Sequence, residues 1–520
     1  MLIVPPYALE EYPLPPLSLS YLSGSLLAHG FEVEILDLLT SKASAAKIRR
    51  KLEQYQPQLV GTTCVTMTFP AAARILKVCK EFDPSITTVM GGQHASFAAE
   101  DAFHRAPWID IVVVGEGDVT VVELASALDK RTDLRDVAGL YVNRNGRSFK
   151  TAARPLIANL DELPFPARHL LPLSKYHALG AACSVVSSRG CPYNCIFCTT
   201  PRVYGRKVRF RQPVLVVDEI EVIHRKYGFR QINMVDDTFT LNRPHATELC
   251  RELIRRRLPV TWSIFSRVDT LTPELLNLMH EAGCTCMLFG VESGNQEVLN
   301  NIKKGITQEK VRNGVKMATE AGIGSFASFI LGLPGETPER ARETLAFAME
   351  LSERWGTQYG FHYLSPFPGT ELFDQAREMG IRILTKNWAR YNANEVITEA
   401  SEGGMAGVKA VMARYDEGIA LAWETVGRKA EAGDAGCIES LRNKQIGGFI
   451  WKLLREDAVE KLGKVRGAAT PQEAETMLSE VLARRLDAPL GVASQEIRRL
   501  SQNGWLRPKP LSDGFAWYWA

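Results

Sequence analysis

Three cysteines lie on one short stretch, Cys191, Cys195 and Cys198 in RGCPYNCIFCTT. Their spacing is C-x3-C-x2-C. Thiolates are soft ligands that suit zinc or iron–sulfur clusters. A structural zinc site needs a fourth Cys or His to close its tetrahedron. None occurs in about the next twenty residues, and His224 is the first downstream. Three ligands on a tight loop instead leave one metal position open, and on a four-iron cluster such a position can bind a substrate or cofactor. A zinc knuckle closed by a distant residue is the alternative. The other cysteines, Cys64, Cys79, Cys183, Cys250, Cys284, Cys286 and Cys437, stand in apolar runs or helices and read as core.

A metal loop of this kind must be held by regular elements. Six apolar runs alternate with amphipathic stretches after residue 183: Ser184–Ser188, Gln231–Val235, Val260–Phe265, Thr285–Gly290, Ser325–Leu331 and Tyr359–Leu364. Between them, Leu215–Tyr227, His245–Arg256, Pro273–Glu281, Lys310–Ala321 and Pro338–Arg354 carry helical periodicity. This pattern predicts a partial or full β/α barrel over 183–378, with its chemistry on the loops after the strands. Residues 1–135 show a separate alternation, with strands at Leu2–Val4, Val33–Leu36, Leu59–Gly61, Thr87–Met90 and Ile109–Val114. It predicts a doubly wound, Rossmann-like α/β unit that binds ligands at its carboxyl strand ends. Residues 136–182 read as a hairpin at Asn145-Gly146 followed by a proline-containing connector. Residues 379–520 read as mainly helical, with SQEIRRLSQNGWL fitting a winged-helix-like unit and the tail FAWYWA expected to pack on the barrel.

Composition limits the function classes. The chain has 520 residues, 45% hydrophobic and 23% charged, with Lys+Arg 62 against Asp+Glu 59 for a net charge of +3. These are globular values for several domains. The near-neutral balance, with no basic stripe, gives no expectation of nucleic-acid binding. No window of 18 apolar residues and no signal-peptide pattern occurs, so a cytoplasmic protein with reduced thiols and no transmembrane segment is expected.

The loop CPYNCIFC, with Phe197 before its third cysteine, resembles the signature of the radical S-adenosylmethionine (SAM) superfamily. That resemblance implies that Cys191, Cys195 and Cys198 hold a [4Fe-4S] cluster whose free iron chelates SAM. It places Phe197 near the adenine. The later loops resemble the family in turn: Asp236 and Asp237 in NMVDDTF toward the SAM amine, Arg267 in SRVD toward its carboxylate, and Glu292 and Ser293 in FGVESG toward the ribose or methionine end. Ile330 and Gly332 resemble the adenine-contact motif, although Glu336 falls one residue late, and Tyr363 and Leu364 match the sixth-strand backbone that reads adenine.

The first unit, with PPLSLSYLSGSLLAHGFEVEILD, GTTCVTMT, VMGGQHAS and VVVGEGD, resembles the cobalamin-binding domain preceding many radical SAM domains. By that resemblance Thr62, Thr63, Gly91, Gly92, His94, Gly115, Glu116 and Gly117 contact the corrinoid. The D-x-H-x-x-G motif is missing, so no protein histidine is expected on the cobalt. The implied enzyme is a cobalamin-dependent radical SAM C-methyltransferase acting on an unactivated carbon of a small molecule. It would be reduced by a partner such as flavodoxin or ferredoxin. The alternatives are an oxidative cyclase or ring-rearranging enzyme of the tetrapyrrole-cyclase kind, and a non-catalytic cobalamin or redox sensor.

Overall fold

The computed structural model describes residues 1–6, 13–144, 146–400 and 405–520. The turn residue Asn145 lies outside them. In the first unit, β1 (Leu2–Val4), α1 (Leu17–Ala28), β2 (Ile35–Asp37), α2 (Ala45–Tyr55), β3 (Leu59–Thr63), α3 (Phe69–Phe82), β4 (Thr87–Gly91), α4 (Gln93–Phe97), α5 (Ala99–Arg105), β5 (Ile111–Val113) and α6 (Gly117–Lys130) follow in turn. The parallel strands run β2-β1-β3-β4-β5, so the order reverses between β1 and β3, where Leu2 sits opposite Gly61. Open parallel sheets bind ligands at this switch point. The hairpin β6 (Leu140–Arg144) and β7 (Arg147–Lys150) pairs antiparallel with β5, making seven strands. It therefore belongs to the first sheet rather than to the connector, because Leu140 and Val142 bury against Ile111 and Val113.

The connector carries α7 (Leu173–Ala178), whose Tyr176 hydroxyl donates to Asp37 at 2.5 Å. Next come β8 (Cys183–Val185), β9 (Ser188–Arg189), α8 (Thr200–Val203), β10 (Arg209–Phe210), α9 (Pro213–Tyr227), β11 (Gln231–Met234), α10 (Arg243–Arg256), β12 (Thr261–Ser266), α11 (Pro273–Glu281), β13 (Cys284–Glu292), α12 (Gln296–Asn301), α13 (Gln308–Glu320), β14 (Gly324–Leu331), α14 (Pro338–Trp355) and β15 (Gln358–Tyr363). The six strands β15-β14-β13-β12-β11-β8 form one parallel sheet, open between its edges β8 and β15. The barrel is thus partial. Local sequence sets the helix ends. Thr272, Thr307 and Thr337 cap α11, α13 and α14 by accepting a backbone N–H three residues on, and Gly228 and Gly356 end α9 and α14 in the left-handed conformation.

The remainder is mainly helical, as expected, with short strands added to it. After α15 (Glu371–Asp374), β16 (Ile381–Ile383) pairs with β17 (Thr398–Ala400). Between them Trp388 and Tyr391 bury in the first unit's core beside Phe69. Helices α16 (Ala406–Glu431) and α17 (Ala435–Arg455) form a long hairpin. Then α18 (Ala458–Leu462), β18 (Lys464–Arg466), α19 (Pro471–Leu486), α20 (Leu490–Gln502), β19 (Leu506–Leu511) and β20 (Gly514–Trp519) complete a unit with the sheet order β18-β20-β19. This helix–strand–helix–helix–strand–strand order is that of a winged helix. The tail FAWYWA is β20, and Trp517 buries in this unit's own core rather than on the barrel, since pairing with β19 satisfies its backbone. Cys64, Cys79, Cys183, Cys250 and Cys284 are buried, whereas Cys286 and Cys437 are only partly so.

Candidate active site between two strand-end surfaces

The cysteine loop spans residues 190–208 and is closed at its base by the antiparallel pair β9–β10. Gly190, at φ +110, is held among carbonyls, and a Cβ there would lie 3.0 Å from the Gly205 oxygen. The Cys191 amide donates to Gly205 at 3.2 Å, and the Ile196 amide to Ile302 at 3.2 Å, which ties the loop to the end of α12. All three thiols are free and partly buried. Burial pushes those of Cys191 and Cys195 up, and Cys198 adds to both shifts. Among the described residues, no three Cys, His, Asp or Glu side chains converge on a single ion. A zinc site, with sulfur about 2.3 Å from one metal, needs that convergence. A four-iron cluster gives each thiolate its own iron.

Around the loop, the strand ends carry paired charges. Asp236 is buried and fully engaged: it accepts from the Ser187 and Ser188 amides at 2.8 and 2.6 Å and from the Ser187 hydroxyl at 2.7 Å. Its carboxylate secures the β8–β9 junction, with two bonds on one oxygen and one on the other. Asp237 instead accepts from the Thr200 hydroxyl at 2.9 Å and faces a cavity, with burial raising its pKa to about 6. Arg267 is buried, chelates Asp269 through two 3.0 Å bonds, and stacks 3.6 Å over the Tyr193 ring. Glu292 has a φ of +72, follows a register shift in β13, and pairs with Lys304 at 2.7 Å. A Cβ at Gly290 would lie 2.3 Å from the Glu292 carboxylate, so a larger residue there would displace that side chain. Lys304 also approaches the Phe197 ring at 5.7 Å and acts on Cys195 electrostatically.

Other candidates are less available. The Ser293 hydroxyl is buried against Thr344 at 3.1 Å. Gly332, at φ +90, donates its amide to Glu336, a buried carboxyl whose second oxygen has no partner and whose pKa burial raises to about 7. The late position of Glu336 still lets it close the turn after β14. Ile330 packs on the barrel core. The Tyr363 amide donates to Ala393 at 2.7 Å and the Leu364 amide to Leu331 at 2.8 Å, so the sixth strand end is covered by the segment before β17. Sequence reasoning missed Lys304, Tyr193 and Thr200. Only their place within or just after the metal loop and after the fourth strand could have flagged them.

The first sheet's strand ends face the same region across a cavity of about 320 Å³. Thr62, Thr63, Gly91, Gly92, Gly115 and Gly117 line it with Leu2, Leu19 and Gly61 from below and Ser188, Arg189, Tyr204 and Asp237 from the barrel. The Thr62 hydroxyl is buried without a partner. A Cβ at Gly61 would reach 2.8 Å from the Leu2 side chain and fill the floor. Glycine floors, apolar walls and an unsatisfied hydroxyl fit a large, partly polar cofactor such as a corrinoid. Two predicted contacts are placed otherwise. His94 is not among the lining residues: it is buried between Phe69 and Trp388, with ring centroids 4.9 and 5.1 Å away, and burial lowers its pKa to about 4. Glu116 reaches the cavity wall, but its carboxylate is consumed by Arg189 at 3.2 Å, Arg209 at 2.8 Å and the Ile157 amide at 2.9 Å.

A flavodoxin-like sheet facing an open six-stranded β/α barrel with a three-cysteine loop defines a class of tandem cofactor-binding enzymes. The chain matches the radical SAM superfamily model over residues 185–348 and the B12 binding domain model over residues 10–125. It is 36% identical to an uncharacterized methyltransferase, PH0819, of Pyrococcus horikoshii, over 72% of this chain and 81% of that protein. It is 33% identical to the anaerobic magnesium-protoporphyrin IX monomethyl ester cyclase of Rubrivivax gelatinosus, over 73% of this chain and 68% of that protein. Its fold is similar to that of the radical SAM methyltransferase TsrM from Kitasatospora setae with cobalamin and [4Fe-4S] cluster bound: TM-score 0.65, 20% identity, 96% of this chain and 99% of that one. The chain belongs to the radical SAM superfamily, in the group whose SAM domain follows a B12-binding domain. It is a radical SAM enzyme, with a [4Fe-4S] cluster, SAM and cobalamin as cofactors. Among the described residues, no helix is long and apolar enough to cross a membrane.

Proposed function

We propose that the enzyme transfers a methyl group to an unactivated carbon of a small-molecule substrate. The observation that carries this reading is the single cavity shared by the two strand-end surfaces, with Gly91, Gly92 and Gly115 on one wall and Asp237 on the other. When bound, the cluster with SAM supplies a 5′-deoxyadenosyl radical and the corrinoid supplies the methyl group. Cys191, Cys195 and Cys198 would hold the cluster. Arg267 is proposed to receive the SAM carboxylate, its guanidinium already oriented by Asp269 and Tyr193. Asp237 would receive the SAM ammonium, and Glu292, held by Lys304, the ribose hydroxyls. Phe197, Ile330, Gly332 and the backbone of Tyr363 and Leu364 would bound the adenine. On the opposite wall, Thr62, Thr63, Gly91, Gly92, Gly115 and Gly117 would support the corrinoid. Apolar walls exclude water from the reacting carbon.

The similar TsrM, whose structure holds a tryptophan substrate, supports a small-molecule substrate class, and a reductant such as flavodoxin or ferredoxin would feed the cluster. Ten cysteines in one chain, none of them paired among the described residues, support a cytoplasmic site of action. The cyclase reading draws on the 33% identity to the protoporphyrin ester cyclase. Anaerobic turnover with SAM carrying a labelled methyl group separates the two. Label in the product, with 5′-deoxyadenosine released alongside it, is the expected result. Release of 5′-deoxyadenosine with an unlabelled, oxidised product assigns the cyclase reaction instead.

A further inference from the structure

Arg189 and Arg209 are the directly opposed pair of β9 and β10, the two short strands that close the cysteine loop. Like charges opposed across strands destabilise a pairing. Both arginines are nearly buried, with side chains 11% and 8% exposed, so water screens them little. They are neutralised from the other sheet. Glu116 accepts from both guanidinium groups, and Asp118 chelates Arg189 at 2.8 and 3.1 Å. Two carboxylates thus balance two guanidiniums. The carboxylates sit where β5 leads into α6, Glu116 at the cap and Asp118 in the first turn, interleaved with Gly115 and Gly117, and this junction lines the shared cavity. Arg209 also bridges the Ile157 and Tyr204 carbonyls at 2.6 and 2.9 Å, tying the connector to the far limb of the cysteine loop.

We propose that Glu116 is a positioning residue whose charge holds the cysteine loop closed, so that filling the cavity beside Gly115–Asp118 orders the cluster-binding loop. The coupling is reciprocal: whatever orders one loop favours the other. The link to cofactors rests on the reading given under Proposed function, while the charge clamp itself does not. The clamp also gives Glu116 a task that corrinoid contact alone would not.

The test is hydrogen exchange of the 190–208 amides in the full-length protein before cofactor reconstitution, for Glu116→Gln, Arg209→Gln and the double variant. Removing one member of a buried ion pair leaves an uncompensated charge. Glu116→Gln is therefore expected to speed exchange of this loop by roughly tenfold or more while distant strands keep their protection. The double variant, with Asp118 facing Arg189 alone, is expected to return to within about twofold of the wild type, a non-additive rescue that packing loss would not produce. Wild-type rates in Glu116→Gln, or no rescue in the double variant, overturn the clamp. If Glu116→Gln does not fold, a folded double variant supports the clamp and an unfolded one overturns it. Hydroxocobalamin, its uptake followed by absorbance, is expected to slow exchange of 190–208 in the wild type by at least about threefold, and not in Glu116→Gln. Uptake with unchanged exchange overturns the coupling. Wild-type protein that takes up no corrinoid contradicts the proposed function instead, and the clamp is then judged on the charge series alone.

Discussion

The two parallel sheets meet one cavity with opposite chemistry. The first presents small residues and space: Gly61, Gly91, Gly92, Gly115 and Gly117 leave backbone bare where side chains would intrude. The second reaches it with Asp237, bonded to Thr200, and carries sulfur and paired charge around the neighbouring strand ends: the cysteine loop, Arg267 against Asp269, and Glu292 against Lys304. Both obey the rule that parallel sheets work at their carboxyl edges. They differ because a bulky cofactor demands room, whereas a small charged one demands a fixed field. The two surfaces should therefore fail differently when altered.

The largest expected effect is on the charged side. Cys195→Ala should lower iron and acid-labile sulfide to background and abolish SAM cleavage, with corrinoid uptake unchanged within about twofold, because the glycine surface and the Glu116 clamp need no thiol. Iron and sulfide analysis with an absorbance titration of hydroxocobalamin reads both, and equal loss of both would erase the distinction between the surfaces. The next effect sharpens the glycine side by setting neighbours against each other. At Gly92, φ is +96 and a Cβ would lie 2.4 Å from the Cys64 oxygen, whereas at Gly91 the nearest atom is 3.9 Å away. Gly92→Ala should cost about 3–4 kcal/mol in urea unfolding and most of the corrinoid uptake, and Gly91→Ala no more than about 1 kcal/mol. Equal losses would mean that backbone conformation is not what the glycines provide.

The smallest effect concerns Glu336, where the charged surface buries an acid without a counter-charge. Its pKa rises from 4.5 to about 7 because burial disfavours the carboxylate. The folded state therefore holds a proton that the unfolded chain releases. The stabilisation is complete below about pH 4.5 and is lost as pH rises through 7. That loss amounts to about 3 kcal/mol by linkage. Glu336→Gln cannot ionise, so relative to the wild type it should be more stable at pH 8 than at pH 5, as denaturant titrations at the two values would show. Asp237 contributes a shift of the same sign in both proteins and cancels in the difference. A constant gap between wild type and variant across this range would rule out the buried acid.

Much of the architecture could be read from periodicity. Helix Pro273–Glu281 and strand Leu2–Val4 have the ends expected of them, because a capping Thr272 with Pro273, and a run apolar on both faces, are local signals. The hairpin's place in the first sheet, the strands β16–β17 with Trp388 buried in the first unit's core, and the pairing of the wing strands were not legible. Each depends on partners far along the chain, and short amphipathic strands carry a weak periodic signal.

The same division holds at the site. The cysteine spacing and the glycine doublets belong to the sequence itself, since ligand count and backbone freedom are properties of residues in order. What those residues do together was decided by tertiary structure. It spent Asp236 on a strand junction, turned His94 into an aromatic core, gave Glu292 its Lys304, and brought Glu116 between two opposed arginines. Charge acts across space regardless of chain distance, and burial sets its strength. Neither is written in the order of the residues alone.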